Sequence, residues 1–441
     1  MLSEPTFSFT NFQDAVKALL STTGISLLSI LPILVFIVRQ YGSTHPAQPR
    51  GCRRLGLPPG RSNLHDEFDP KYGQGTSKDI DDKGQPLWRI KALFTHPIKS
   101  CAAVELDVAD VVLTGFAFDR QFCFAEHFTP DHASTSDGKA QHYWDARTLR
   151  NGHYSRLTLI RPEIWVPDPA APDYAPDLDE VRSQGVMVIY YPRPARRGLS
   201  SYPVKLGIAL RLVPRELSFS IPLVPPPDRA SAYPSVPVKI WKDTPVAYDY
   251  GRHLPRSLRE FLAPPNAGVS RPLTLFRVDP THHRQVFRNA PRKEELGFQP
   301  VTGFADAYPL HILNIARGTS SSKGPEAFAE DHWKRILIRP TGAKSDADAG
   351  VEIHVACRTM RCRLPNVDPA TGIRHASEPD RTLKSYRRID PGDPTNACLG
   401  MQCVPAVQEF VIRVGDTVSL LETGEHWYIK LLKPGEVVEG V

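Results

Sequence analysis

RIKALFTHPIKSCAAVELDVADVVLTGFAFDR, running from Arg89 to Arg120, is the stretch that decides the fold. Its apolar residues come in short alternating runs cut by Pro97, Ser100, Asp107 and Asp110, the pattern of brief strands in a barrel or sandwich. Working outward, similar runs occur at Arg120–Ala125, Arg156–Ile160, Val186–Tyr191 and Val238–Ile240, and again in EFVIRVGDTVSLLE, Glu409 to Glu422. The spacing predicts one helix over Leu254–Leu262, where Leu254, Leu258, Phe261 and Leu262 share a face. Between Pro167 and Asp179 a Pro, Asp and Ala rich segment reads as a surface loop. The 43 prolines among 441 residues disfavour long helices. The expected fold class is therefore mainly β with some α, α+β, without an internal repeat.

Apolar residues make up 41% and charged residues 23%, so the chain can bury a core. The net charge of +6 is modest for this length, and no run of five like charges occurs, which argues against nucleic acid as a partner. Seven cysteines, an odd number without a cleavage pattern for secretion, fit free thiols in a reducing compartment.

Residues 18–38, between Lys17 and Arg39, carry no charge and are densest in apolar residues from Ile25 to Val38. That length predicts a membrane anchor over 1–40, interrupted by Pro32. Arg39, Arg50, Arg53, Arg54 and Arg61 follow it, so the positive-inside bias places the body on the cytosolic side. Residues 41–87 are Gly, Pro, Asp and Lys rich and read as a linker.

Three groups of residues point to chemistry. In VACRTMRCRLPNVDPATG, Val355 to Gly372, Cys357 and Cys362 flank Arg358 and Arg361, and guanidinium charge favours thiolate, the form that ligates metal. A cysteine packed as a small hydrophobe at a strand end is the alternative. Cys398 and Cys403 repeat the same spacing, but two such pairs lack the tight spacing usual in structural zinc or iron–sulfur sites. In HPIKSC and GFAFDRQF, Lys99, Ser100 and Arg120 offer an ammonium, a hydroxyl and a guanidinium of the kind that grips phosphate. Asp306, in FADAYPLHIL, together with Glu330 and Asp331, in FAEDHW, adds carboxylates that cap or pair as readily as they catalyse.

Taken in order, HPIKSC, GFAFDR, ADAYPLHIL, FAEDHW, RCRLPNVDPATG, EPDRTLKSYRR, CLGMQC and VGDTVSLLE resemble the MOSC family, named for the C-terminal domain of molybdenum-cofactor sulfurase. The landmarks span roughly Lys91 to Glu422, and the pattern is similar to that of the mitochondrial amidoxime-reducing component and of the fungal MOSC proteins that resemble it. The resemblance implies an N-terminal MOSC β-barrel domain over 88–245, a MOSC β-barrel domain over 246–430 and a molybdenum–molybdopterin cofactor between them. It makes Cys362 the molybdenum ligand and Cys357 its neighbour. It assigns Lys99, Ser100 and Arg120 to the phosphate and pterin, Arg147 to a further cofactor contact in a threonine-x-arginine segment, and Asp306 to a proton relay near the metal. A pterin dithiolene and one thiolate would fill soft positions on molybdenum.

The implied reaction is reduction of a small N-hydroxylated substrate, with electrons from cytochrome b5 and its NADH-dependent reductase. Membrane anchoring with a cytosol-facing body, on a membrane such as the mitochondrial outer membrane, suits such partners. A pyridoxal-phosphate domain, which precedes MOSC in full sulfurases, is not expected from residues 1–87. Two alternatives stay open: a non-catalytic carrier of cofactor or sulfur, and a degenerate member. The second arises because the family's Phe-Arg-Pro-Asn strand, before the AED segment, is replaced here by LNIARGTSSSKGPEAFAED, which predicts an opened barrel and weakened cofactor retention. In addition, Asp145 stands where the family often has Thr.

Overall fold

A computed structural model describes residues 17, 30–32, 34–36, 38–39, 48–69, 88–129, 142–194, 198, 201–264, 271–315, 327–342 and 350–430. The chain divides into two units. The smaller comprises 1–47 and 191–218, and its described residues include the helix Ser201–Ala209. The larger, 48–190 with 219–441, holds both principal sheets.

The first of these is a closed barrel, in the order Ser235–Lys239, Val246–Asp249, Leu273–Val278, Phe122–Phe128, Tyr143–Ala146. FCFAEHF and LTLFRV form its paired centre, with Phe276 opposite Cys123 and Leu275 opposite Phe124. These strands are nearly continuous in apolar residues, and Cys123, Ala125, Val238, Ala247, Phe276 and Phe304 pack inside. Each large side chain so buried contributes on the order of 1.5–3 kcal/mol of transfer free energy. The barrel draws strands from both sides of residue 245. Ahead of it, Ile98 bridges Phe122 in parallel and the Lys99 amide donates to the Phe122 carbonyl at 2.8 Å, which fixes HPIKSC against the barrel's first strand.

The second sheet has six strands, ordered Leu310–Ile312, Ala397–Pro405, Val351–Arg361, Trp333–Arg339, Thr417–Thr423 and Trp88–Arg89, each pair antiparallel. Its core is aliphatic, with Ile336, Ile353, Val355, Met401 and Val418 among the buried residues. The pairing of Val351–Arg361 with Ala397–Pro405 shifts register between Val355 and Cys357 and again between Arg358 and Met360. Such bulges break the two-residue alternation, and Val355 to Thr359 are consequently all buried in succession. Leu310–Ile312 is a sheet edge. The segment 316–326, which covers the expected loss of the Phe-Arg-Pro-Asn strand, lies outside the described residues.

Several expectations meet their test here. The helix forms over Arg256–Leu262, burying Leu258, Phe261 and Leu262, with Pro255 at its N-cap. Arg156–Ile160 is not a strand: Gly152–Leu159 is a 3-10 helix, because Tyr154 and Leu157 bury together at a three-residue spacing that the local alternation disguised. The strand begins only at Arg161 and runs to Pro167, pairing with Cys52–Arg54 on one side and Val186–Tyr190 on the other. The segment after Pro167 is partly anchored, since Asp173 accepts from the Gly51 amide at 3.1 Å. Most of the expected membrane anchor, including 18–29, lies outside the described residues. Among those described, no helix is long and apolar enough to cross a membrane.

Candidate functional site

Within the larger unit a cavity of about 440 Å³ carries both Cys362 and Asp306 on its wall. Cys362 is a free, half-buried thiol at the point where Val351–Arg361 ends. The turn that follows, Leu364–Asn366, is fixed by the Asn366 side chain, which donates to the His375 carbonyl and accepts from the Asp380 amide at 3.0 Å. Arg374 reaches back from this loop to the carbonyls of Arg363 and Leu149, the residues that directly precede the cavity-lining Leu364 and Arg150.

Asp306 sits on the loop Gly303–Tyr308. Arg284 donates to the Ala305 carbonyl at 2.6 Å and pairs with Asp243 at 2.6 Å, so one guanidinium pins this loop. Lys99 approaches from behind: its Nζ donates to Asp306 Oδ1 at 2.6 Å and to the Phe304 carbonyl at 2.8 Å. Burial acts to raise the Asp306 carboxyl, but Lys99, then Arg120 and Arg150, outweigh it and hold the group well below the usual carboxylate range. Burial lowers the Lys99 ammonium, with Asp306 opposing that change. Lys99 does not itself line the cavity, nor do Ser100 and Arg120. Arg120 pairs with Asp119 at 2.6 Å, and the Ser100 hydroxyl accepts from the Leu149 amide at 3.4 Å. Both residues hold positive φ, 48° and 69°, the kind of strain that recurs where surrounding structure dictates a backbone shape.

Arg147 is placed elsewhere. It is buried between Glu126 at 3.2 Å and Asp145 at 2.7 Å, and stacks over Phe128. The arginine that reaches the cavity is Arg150, 4.4 Å over the Trp241 ring. The signal was present in the sequence: Thr148, Leu149 and Arg150 are themselves a threonine-x-arginine segment. Trp241, Arg284, Arg288, Tyr308 and Tyr428 also line the cavity and carried no sequence signal of their own.

Arg361 and Arg358, noted only as neighbours of the thiols, have separate surroundings. Arg358 is buried against Asp390 at 3.3 Å and the His426 carbonyl at 3.1 Å. Arg361 donates to the Leu399 carbonyl and to His311 Nε2, both at 2.9 Å. Among the described residues, Arg150, Arg288 and Arg361 have no carboxylate partner, whereas Arg284 and Lys99 each have one and Arg358 has two, Asp390 and Glu425. Burial pushes the Cys357 thiol up to about 12, so it is a protonated packing residue beside Tyr308. Cys398 and Cys403 are free and buried in their strand, and among the described residues no group of three or more His, Cys, Asp or Glu side chains gathers as a metal site. Glu330 is fully buried and raised by that burial, while Asp331 forms a buried pair with Arg387 at 2.7 Å.

Residues 87–131 match the MOSC N-terminal beta barrel domain. Over 101 residues, 22% of the chain, the sequence is 37% identical to the human protein named mitochondrial amidoxime-reducing component 1, covering 27% of that protein. It is 44% identical over 106 residues to the rat mitochondrial amidoxime reducing component 2, covering 20% of the chain and 28% of the relative. A longer similarity, 21% identity over 342 residues, reaches the molybdenum cofactor sulfurase of Aspergillus clavatus, covering 69% of the chain and 37% of that protein. The chain thus spans well under half the length of each of these relatives.

Proposed function

We propose that the chain is a MOSC-family protein that binds a molybdenum–molybdopterin cofactor and reduces small N-hydroxylated compounds, a reading supported by the matched N-terminal beta barrel segment and the similarity to the relatives above. The observation that carries the proposal is Cys362, a single accessible thiol on the wall of a cavity that also presents Arg150, Arg288 and Arg361 without carboxylate partners. The cavity lies within the roughly 300–1,000 Å³ of ordinary small-molecule sites. A metal already held by a dithiolene needs one protein thiolate, and an anionic pterin phosphate needs unpaired cations, so these residues fit the group. Arg150 joins Lys99, Ser100 and Arg120 in this assignment, with Lys99 and Arg120 acting through Asp306 and Asp119; Arg147, held by its own acids, supports the barrel end nearby.

When bound, the cofactor supplies two electrons to the N–O bond, and with two protons the products are the reduced nitrogen compound and water. Cys362 would hold the metal, and Arg361 adds a guanidinium to the same cavity wall. Asp306, kept ionised by Lys99, accepts a proton and passes it on, so its part is relay and not storage. Electrons arrive from a separate protein, for which cytochrome b5 and its NADH-dependent reductase are the proposed donors. Residues 1–40 as a membrane anchor and a cytosol-facing body at the mitochondrial outer membrane complete this reading; of the expected linker 41–87, residues 48–69 are instead tied into the body, through the strand Cys52–Arg54 and the Leu55 and Leu57 amides. The division into domains at 88–245 and 246–430 is by sequence, since the barrel shares strands across it.

The similarity to a sulfurase favours one second reading, in which Cys362 carries cofactor or sulfur without turnover. Metal analysis of the purified protein, followed by an NADH-coupled amidoxime assay with both redox proteins, separates the two. Metal with turnover supports the reductase, metal without turnover supports the cofactor carrier, and absence of metal overturns the reductase and the cofactor carrier alike, leaving a sulfur carrier to be read by cyanide-labile sulfur on Cys362.

A further inference from the structure

A surface helix ordinarily turns one apolar stripe inward and a polar face to water. Ser201–Ala209, in the smaller unit, does not. Ser201, Val204 and Gly207 are buried, but Tyr202, Leu206 and Leu210 follow one another at four-residue spacing, 67%, 46% and 49% exposed. Leu212, just past the helix, is exposed as well. The Leu212 and Val213 amides both donate to the Gly207 carbonyl, at 2.8 and 3.1 Å, and Val213 is buried, so the chain turns back without covering the stripe. Arg193 closes the base of the segment: its amide donates to the Arg215 carbonyl at 3.1 Å and its Nε to the Pro214 carbonyl at 3.3 Å. A bare apolar stripe on a segment tied off in this way marks a surface that is covered by something else.

Charge says what covers it. Between Tyr191 and Ser218 the sequence holds six basic residues, Arg193, Arg196, Arg197, Lys205, Arg211 and Arg215, against the single acid Glu216. Lys205, Arg211 and Arg215 are exposed, and among the described residues none of the three has a carboxylate partner. Lys205 lies 6.0 Å from the centre of the Tyr202 ring, so a cation borders the stripe itself. An apolar face edged by cations matches the layering of an anionic bilayer, phosphate outside and hydrocarbon beneath. A second copy of the chain is a poor cover, since two such faces would set like charges against each other. The same compact unit contains residues 1–47, in which the uncharged stretch 18–38 lies, and there Ile30, Leu31, Val35, Phe36 and Val38 are also exposed.

We infer that the segment 191–218 is an interfacial element, with Tyr202, Leu206 and Leu210 seated in the headgroup boundary of an anionic lipid bilayer and Lys205, Arg211 and Arg215 on its phosphates. The inference shares with the proposed function only the placing of the chain at a membrane, and it needs neither the cofactor nor the reaction.

The test reconstitutes the full-length protein with vesicles of phosphatidylcholine alone, or of phosphatidylcholine with phosphatidylserine, and follows amide hydrogen exchange by mass spectrometry. Peptides from 201–212 are read separately from those of 18–38. Each basic side chain at an anionic surface is worth roughly fivefold in occupancy, so exchange across 201–212 is expected to be about tenfold slower, or more, with the anionic lipid than with the neutral one. Lys205→Glu/Arg215→Glu removes most of that slowing, and Leu206→Gln/Leu210→Gln does the same without altering charge. All four side chains are exposed, and urea unfolding reports that each variant is folded. Equal exchange with the two lipids overturns the inference, whether the segment is slow in both, as under a cover supplied by the chain's own anchor, or fast in both. Slowing that follows protein density on the vesicle and not lipid charge marks a second copy and overturns it too, as does a response to anionic lipid that survives the charge reversal. Protection of 18–38 in neutral vesicles reads the anchor by itself, and metal analysis reads the proposed chemistry, so either can fail without the other.

Discussion

Lys99 and Asp306 are joined by a 2.6 Å ion pair in which the ammonium is buried, 6% exposed, while the carboxylate, 51% exposed, opens into the cavity. The pair is lopsided: the acid is accessible to a ligand, and the base that fixes its charge is not. Removing the acid strands the buried cation, so Asp306→Asn is expected to cost about 1–3 kcal/mol, measured by urea unfolding. The double variant Lys99→Met/Asp306→Asn recovers most of that loss, because the apolar stem no longer carries an unpaired charge. A double variant as unstable as the sum of both singles would show that the Phe304 carbonyl, and not Asp306, is the partner that matters.

Cys362→Ser is predicted to leave unfolding within about 0.5 kcal/mol of the parent, since the side chain is partly accessible and unpaired. The same variant is predicted to purify without molybdenum and to show no N-hydroxy reduction. Elemental analysis reads the first outcome and the reconstituted NADH assay the second.

Arg387, from the SYRR motif, reaches Asp331 with two 2.7 Å contacts, donates to the Cys398 carbonyl and stacks 3.9 Å over Phe328. Both partners are buried, so Arg387→Met leaves Asp331 without its counter-charge. The expected loss is about 3–5 kcal/mol, visible as a lowered midpoint in chemical denaturation. Replacing Asp331 by Asn in the same background should return part of it. A midpoint unchanged by Arg387→Met would remove this pair from the account of stability.

His426 is buried with its Nε2 at 2.7 Å from the Trp333 carbonyl, and burial, ahead of the Lys334 and Arg358 charges, pushes it down to about 4. The unfolded chain therefore binds the proton more tightly than the folded one. Stability from this group is complete above the ordinary histidine value near 6.5 and is lost as pH falls towards 4. Melting temperature should fall between pH 7 and 4.5, and fall less steeply in His426→Gln. Parallel curves for the two proteins would place the acid sensitivity elsewhere.

The sequence showed most of the strands because their apolar alternation is local, and the order of motifs pointed to Cys362. It misplaced Arg156–Ile160 because Tyr154 and Leu157 bury at a helical spacing within a segment that also alternates. The continuous burial from Val355 to Thr359 was hidden as well, since it depends on two bulges against a strand some forty residues away. Arg284 and Arg288 could not be read at all: what makes them site residues is contact with the Ala305 and Ile429 carbonyls, which nothing in their own neighbourhood announces. Arg147 and Arg150 differ by one turn of chain, and only their partners, two carboxylates in one case and an indole in the other, distinguish them.

The strand order also governs how the protein is made. Phe122–Phe128 finds its barrel partner in Leu273–Val278, and Trp88 pairs with Val418. A ribosome releasing this chain has therefore presented one edge of an apolar strand to the cell for some 150 residues of synthesis, although Tyr143–Ala146 covers the other edge much sooner. The six-stranded sheet gains its last member only once Thr417–Thr423 has been made, more than 300 residues after Trp88. Pairings this distant in sequence fold slowly and leave aggregation-prone edges bare in the interval. Yield in a heterologous host should accordingly depend on chaperone supply and translation speed more than on the stability of the finished protein.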